Sequence, residues 1–218
     1  MSLFLDNDVL AKLASWDLLE DGIKSCGFAL ADVRYLPTAP FWLGLAGKKK
    51  CSYPPEVQGR LRAFLAAAQA CAEDPAGEDS ELHRVDNIDA GEAILLSQAA
   101  CSAGSFLATG DKRCIRAVAN APACERLVSL LGGRVLCLEQ VLLRAIELLG
   151  FDDVKKRIVG SNQLAMDTAV RAAFGSGMQA DAINACGSLE RRVKSLASEA
   201  AGMLAPHEYR YGDEPTGP

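Results

Sequence analysis

Four carboxylates in this 218-residue chain stand where a short apolar run gives way to a helical one. Asp6 follows LFL, Asp111 follows FLATG, and Asp89 and Glu92 open the segment DAGEAILL. In an open parallel sheet, ligands bind in the crevice beyond the carboxyl ends of the strands. Asp6 and Asp111 face one crevice if their strands are neighbours, and residues three apart on a helix, as Asp89 and Glu92 are, can both point toward it. Carboxylates gathered this way repel one another, and a hard divalent cation offsets the repulsion because it prefers carboxylate and water oxygens. Magnesium or manganese held there presents a water that can attack a phosphodiester. The candidate catalytic residues are therefore Asp6, Glu92 and Asp111, and the candidate metal ligands are the same three with Asp89. Asn7 and Thr109 offer further oxygens. Lys12, one helical turn beyond Asp8, is placed to form a salt bridge with the acidic group, and Lys112, Arg113 and Arg116 follow Asp111, where a cation can clamp a phosphate. Lys12, Thr109, Lys112 and Arg113 are the candidate substrate contacts. Each residue also has a plainer role. An Asp at a strand–helix junction caps the helix, an acid in the first turn complements the helix dipole, and a basic helix face is usually solvated.

The elements that must position these residues alternate. Ser2–Leu5 has strand character, and apolar residues recur at helical spacing from Val9 to Leu19. Gly22 and Gly27 bracket a short helix, and Gly27–Leu36 reads as a strand ended by Pro37 and Pro40. Residues 41–55 are irregular, with Lys48-Lys49-Lys50 in their midst, and Glu56–Ala72 reads as a helix opened by Pro54-Pro55. The polar stretch 72–81 is a loop, Arg84–Ile88 has the makings of a short strand, and Asp89–Ala100 is a helix. Ser105–Thr109 is a strand, Lys112–Ala119 and Glu125–Leu131 are helices, and Arg134–Leu138 is a last strand. Strands alternating with helices predict an α/β fold, a Rossmann-like three-layer sandwich with a mostly parallel sheet. Beyond Glu139 the pattern is helical: Glu139–Leu149, Asp152–Ile158, Gln163–Phe174 and Leu189–Leu204. The expected organisation is an α/β domain over 1–149, a helical extension over 150–206 and a disordered tail over 207–218.

Composition bounds the rest. Half the residues are apolar and 23% are charged, which is globular rather than disordered, and aromatics are only 6%. The net charge of −5 argues against strong non-specific binding of nucleic acid but leaves room for local basic clusters. Eight cysteines contain no C-x-x-C pair, and only His83 and His207 could join them, so a zinc site and Ser/His/Asp catalysis are both disfavoured. The cysteines lie among Ala, Leu and Val and read as buried free thiols of a reducing compartment. No signal peptide precedes LFLDN, and no apolar run reaches the ~20 residues that span a bilayer, so a cytoplasmic protein with no membrane partner is expected. P-loop, dinucleotide and nucleophile-elbow motifs are missing.

Three segments in order resemble one family. LFLDNDVLAKL resembles the opening strand and helix of PIN-domain proteins, IDAGEAILLSQAA their acidic mid-domain helix, and FLATGDKRCIRAV their strand, T-x-D and basic helix. The resemblance covers residues 2–138. It implies a PIN-like fold, a magnesium or manganese ion held by Asp6, Glu92 (or Asp89) and Asp111, and hydrolysis of RNA. A second copy of the chain or an antitoxin-like inhibitor would be protein partners. Members usually carry another early acid, for which Glu20, Asp21 and Glu56 are candidates, and toxin members are much shorter than this chain. Two other functions stay open: a PIN-like binding or scaffold protein with little activity, and a metal-dependent phosphatase using the same acids on a small substrate.

Overall fold

Five short strands form one sheet in the order β3-β2-β1-β4-β5, and every pairing is parallel. They are β1 (Leu3–Leu5), β2 (Val33–Tyr35), β3 (Gln69–Ala70), β4 (Phe106–Thr109) and β5 (Val135–Cys137). The architecture comes from a computed structural model that describes residues 1–47, 51–72, 81–161 and 167–208. The Lys48-Lys49-Lys50 run, most of the 72–81 loop, the start of the helix expected from Gln163 and the tail from 209 lie outside the described residues.

Helices flank the sheet in a Rossmann-like, three-layer α/β arrangement. In chain order they are α1 (Asn7–Ser15), α2 (Leu19–Ser25), α3 (Ala39–Trp42), α4 (Pro55–Ala67), α5 (Ala90–Cys101), α6 (Lys112–Asn120), α7 (Glu125–Leu131), α8 (Leu138–Leu149), α9 (Phe151–Gly160), α10 (Thr168–Phe174) and α11 (Ala182–Glu199). The chain runs from β1 outward to β2 and β3, then returns across β1 to build β4 and β5 on the other side. The order therefore reverses between β1 and β4, the place where such sheets open a crevice. Their register, Leu5 opposite Ala108, puts Asp6 and the Thr109–Asp111 turn at the same end of adjacent strands. All three residues of β1 and of β5 are buried, as continuous apolar strands covered on both faces must be.

Several elements differ from the sequence expectation. The helix begun at Asn7 stops at Ser15, well before Leu19. Trp16 is fully buried, and Leu18 and Asp17 donate back to Leu13 O and Ala14 O at 2.8 and 3.3 Å, with Asp17 in the left-handed region at φ 58°. That is a Schellman ending with Asp where Gly is usual. Within Gly27–Leu36 only Val33–Tyr35 is strand, because Leu30–Asp32 folds into a 3₁₀ turn closed by Ala29 N–H donating to Asp32 (3.3 Å). Arg84–Ile88 forms no strand; Glu81–Arg84 is a 3₁₀ turn and Asn87 sits at φ 66°. The fifth strand is instead Gln69–Ala70, which the sequence places inside a helix; its pairing continues as Cys71 N–H donates to Tyr35 O at 2.8 Å.

The C-terminal helices share the hydrophobic core of the sheet: Val154, Ile158, Phe174, Leu189, Val193 and Leu196 belong to the same buried cluster as β1 and β4. The last expected helix begins earlier, at Ala182 behind the Asp181 cap, and ends at Glu199 rather than Leu204. Past Gly202 (φ 78°) the chain pairs in parallel with the outer edge of β5, Val135 N–H donating to Met203 O (3.1 Å) and Ala205 N–H to Val135 O (2.7 Å). An exposed edge has unpaired N–H and C=O groups, and this return satisfies them. Among the described residues no helix is long and apolar enough to cross a membrane, and all eight cysteines are free, five of them buried and Cys101 exposed.

Candidate functional site

The cleft at the β1/β4 switch point has a volume of about 800 Å³ and is lined by Asp6, Asn7, Asp8, Asp89, Glu92 and Asp111 together with Leu36, Thr38, Trp42, Lys112 and Arg113. All four candidate metal ligands thus face one cavity, within the 300–1,000 Å³ range of ligand sites. Gly91 lets this happen on the α5 side. A Cβ there would stand 2.9 Å from Leu36 Cδ1, so glycine brings the start of α5 up to the end of β2 without displacing that side chain. Gly110 does the same at the β4 turn, where a Cβ would fall 2.5 Å from Asp8 Oδ2.

The four acids divide into two kinds. Asp111, Asp89 and Glu92 serve their helices. Asp111 Oδ1 accepts from the Arg113 and Cys114 N–H groups at 2.7 and 3.2 Å, and its Oδ2 pairs with the Arg113 guanidinium at 3.1 Å. Asp89 and Glu92 form a reciprocal capping box, each carboxylate accepting from the other's N–H at 2.8 Å. Asp6 holds the cap position of α1 but makes no capping hydrogen bond. Its Oδ2 accepts instead from the buried Thr109 hydroxyl at 3.2 Å, while that hydroxyl accepts from Asp111 N–H at 3.1 Å. Thr109, a candidate substrate contact, is thus buried beneath the acids and links the ends of the two strands.

Charge follows from this geometry. Burial pushes the Asp6 carboxyl up to about 6; Asp8 and Asp89 add repulsion, against which the Thr109 hydroxyl and the nearby Asp8 amide act. Glu92 is pushed up to about 7 by burial and by the charges of Asp89, Asp111 and Asp6, despite its hydrogen bond from the Asp89 backbone. Burial also raises Asp111, but Arg113 and the two backbone donors outweigh it and hold Asp111 below the ordinary carboxylate range. The Cys114 thiol, hydrogen-bonded to Glu92, is raised by burial and by these acids and stays protonated. Asp6 and Glu92 are the strained charges of the cleft.

A consequence can be measured on chelated protein. A folded-state pKa above the unfolded value means that the folded chain holds the proton more tightly, so the contribution of Asp6 and Glu92 to stability is full below about pH 4 and is lost as pH rises through about 6 and then 7. Asp6→Asn removes one of the two charges. It is expected to raise unfolding stability at pH 8 by roughly 1–2 kcal/mol after allowance for solvent screening, and by only about a third of that at pH 4.5. Denaturant titrations at the two pH values check this; a lower midpoint at pH 8 would show that the Asp6 carboxylate supports the fold.

The basic residues are less free than their spacing suggests. Lys12, a candidate substrate contact, has an 8% exposed side chain and is held between Asp8 Oδ2 (2.6 Å) and Asp167 Oδ2 (2.7 Å). Lys112 lines the cleft but pairs with Glu139 at 2.5 Å, and Arg116 pairs with Glu199 of α11. Arg113 alone of the four candidate contacts has a largely exposed side chain, 76%, although its guanidinium also touches Asp111. The cleft is acidic rather than basic.

The early-acid candidates lie elsewhere. Glu20 and Asp21 line a different cavity, with Asp21 paired to Arg157 at 2.8 Å, and Glu56 lines a third. Asn7 and Asp8, named beside the acids in the sequence, do line the cleft, and the neighbours that sequence spacing did not single out are Glu139 behind Lys112 and Asp167, which caps α10 and reaches Lys12. Glu139 obeys the very rule that found Asp6 and Asp111, an acid where a strand (β5) meets a helix (α8). Asp167 has no such signal, because its role depends on where the extension folds.

The donors are all hard oxygens, and the raised pKa values of Asp6 and Glu92 mark surplus negative charge facing one space, so the chemistry of the set suits a divalent cation. As the side chains stand, no group of three or more His, Cys, Asp or Glu among the described residues is drawn together tightly enough to hold one. Asp89, Glu92 and Asp111 would have to share oxygens with the helix ends that they now cap. Comparison with protein-family models finds no match, and comparisons with curated proteins and with solved structures find none either.

Proposed function

We propose that this chain is a PIN-like, magnesium- or manganese-dependent ribonuclease whose active site is the Asp6–Glu92–Asp111 cleft. The observation that carries the reading is the convergence, at a sheet's topological switch point, of acids from three separate segments, two of them with carboxyl pKa values raised by burial and mutual repulsion. A fold does not keep such repulsion for stability; a ligand that neutralises it accounts for its being there. Asp6, Glu92 and Asp111 would hold the cation, with Asp89 beside them. When bound, the cation neutralises charge on the scissile phosphate and polarises a water for attack.

The chain's own residues have separable tasks in this scheme. Thr109 fixes the Asp6 carboxylate through its hydroxyl and ties the turn before Asp111 to it. The α6 N-terminus holds Asp111 in place, and Arg113 beside it can engage a phosphate oxygen. Glu92, pushed up to about 7 by burial and its neighbouring acids, would give up its proton as the cation binds. A second reading, a binding protein with little activity, draws support from the helix-capping roles of Asp89, Glu92 and Asp111.

Cation binding separates from turnover. If the cation requires Asp6 and Glu92 deprotonated, manganese affinity is expected to rise roughly tenfold to a hundredfold between pH 5.5 and 7.5, with proton release on binding. Calorimetric titration in two buffers of different ionisation enthalpy measures both quantities. A pH-independent affinity would remove Asp6 and Glu92 from the ligand set, and cleavage of single-stranded RNA by the wild type that resists a chelator would refute the mechanism.

A further inference from the structure

We infer that Trp42 is the site's substrate-stacking residue, a platform for one unpaired nucleobase, so that the cleft takes a single strand rather than a duplex. The inference rests on the ribonuclease reading for its cleft and deepens it by naming what the cleft grips.

The chain has two tryptophans, and the fold treats them oppositely. Trp16 is fully buried, whereas Trp42 is 52% exposed and lines the same cavity as Asp6, Asp89, Glu92 and Asp111. The helix α3 that bears it is a single turn after β2, seated by the buried Ala39 and Leu43, so Trp42 is anchored on both sides rather than loose. Its neighbour Phe41 is also exposed, but it does not line the cleft. Trp42 instead borders the acids. An indole is expensive to leave in water, and its flat face suits a base.

The electrostatics favour such an uncharged platform. Asp6, Asp8, Asp89, Glu92 and Asp111 repel a phosphate backbone, and Lys112 and Arg113, the cations that line the cleft among the described residues, are partly offset by Glu139 and Asp111. Stacking is indifferent to that repulsion, because every base has a π-face and contact with it is uncharged. A base pressed on Trp42 holds its own phosphate at the mouth of the acidic cleft. A paired base has both faces covered by its neighbours in the duplex and cannot do this, which selects for unpaired strands.

The test uses the full chain in two arms. For binding, the Asp111→Asn background limits cleavage, and a single-stranded RNA hexamer is titrated against intrinsic fluorescence in magnesium, with a duplex of the same sequence alongside. Trp16 is sequestered, so quenching reports Trp42. The hexamer is expected to quench, the duplex to quench far less, and Trp42→Ala to bind the hexamer about tenfold to a hundredfold more weakly, while Trp42→Phe recovers most of the affinity. For turnover, Trp42→Ala in the otherwise wild-type chain is expected to raise KM for single-stranded RNA by a similar factor with a smaller change in kcat. Equal hexamer affinity with and without Trp42, equal loss in the Ala and Phe variants, or equal binding of duplex and single strand would each overturn the inference. Cleavage by the wild type with a Trp42-independent KM overturns this inference and leaves the ribonuclease reading standing. Hexamer binding through Trp42 without cleavage by the wild type does the reverse.

Discussion

Asp6→Asn is expected to lower manganese-dependent cleavage of single-stranded RNA by a factor of about 10²–10³, the scale of losing one preorganised electrostatic partner, while the same protein becomes more stable above pH 7. The two effects have opposite signs because one cause produces both. The Asp6 carboxylate makes no capping hydrogen bond, is half-buried, and faces Asp8 and Asp89, so the fold gains when its charge is removed. A residue kept for structure loses stability on substitution, whereas one kept for function at the expense of structure gains it. Asp111→Asn is expected to lose activity to a similar degree with almost no change in melting temperature, since Asn caps a helix about as well as Asp and can still accept from the Arg113 and Cys114 N–H groups. Cleavage assays with both variants and a chelator control, run beside melting curves, read the pair of outcomes. Full activity in Asp6→Asn would sink the site; a large loss of stability in the same variant would assign Asp6 to the fold.

Lys12→Met should be the most damaging single change near the cleft, costing about 3 kcal/mol, or roughly 6–12 °C in melting temperature for a chain of this size. Burial disfavours the Lys12 charge, yet its hydrogen bonds to Asp167 and Asp8 prevail and hold its pKa above the ordinary value. Asp167, half-buried with 11% of its side chain exposed, is held below its ordinary value mainly by Lys12, with the Val170 and Ala169 amides helping. Methionine keeps the stem volume but leaves Asp167 as an uncompensated buried charge, and removing one partner of such a pair is far costlier than replacing both. Lys12→Met with Asp167→Asn is therefore expected to recover about half the loss, and the double-mutant cycle gives the coupling directly. Simple addition of the two single losses would mean that Lys12 and Asp167 do not hold α1 to the C-terminal helices. Because α1 begins at the cleft, this ion pair also joins the extension to the site wall.

Much of the site was legible in the sequence for a local reason. LFLD and FLATGD each carry an apolar strand and its terminal acid in six residues or fewer, and D-A-G-E carries a complete capping box, so residue type and short-range spacing alone mark Asp6, Asp111, Asp89 and Glu92. The alternation of such units also determines a parallel sheet with covering helices, since strands that are apolar throughout must be buried on both faces. What the tertiary structure decided is everything that depends on partners distant in the chain. β3 is two exposed residues whose only claim to be a strand is the neighbouring edge of β2, and the pairing of residues 202–205 with β5 exists because that edge was open. Trp42 could be read only as an apolar residue in an irregular stretch until the end of β2 set it beside the acids. Lys12 looked like a cation for phosphate because its spacing to Asp8 is local, while Asp167, 155 residues away, decides that its charge is already spent. Short-range hydrogen bonds and hydrophobic periodicity are written in sequence order; burial, pKa and the pairing of distant charges are set by which segments the fold brings together.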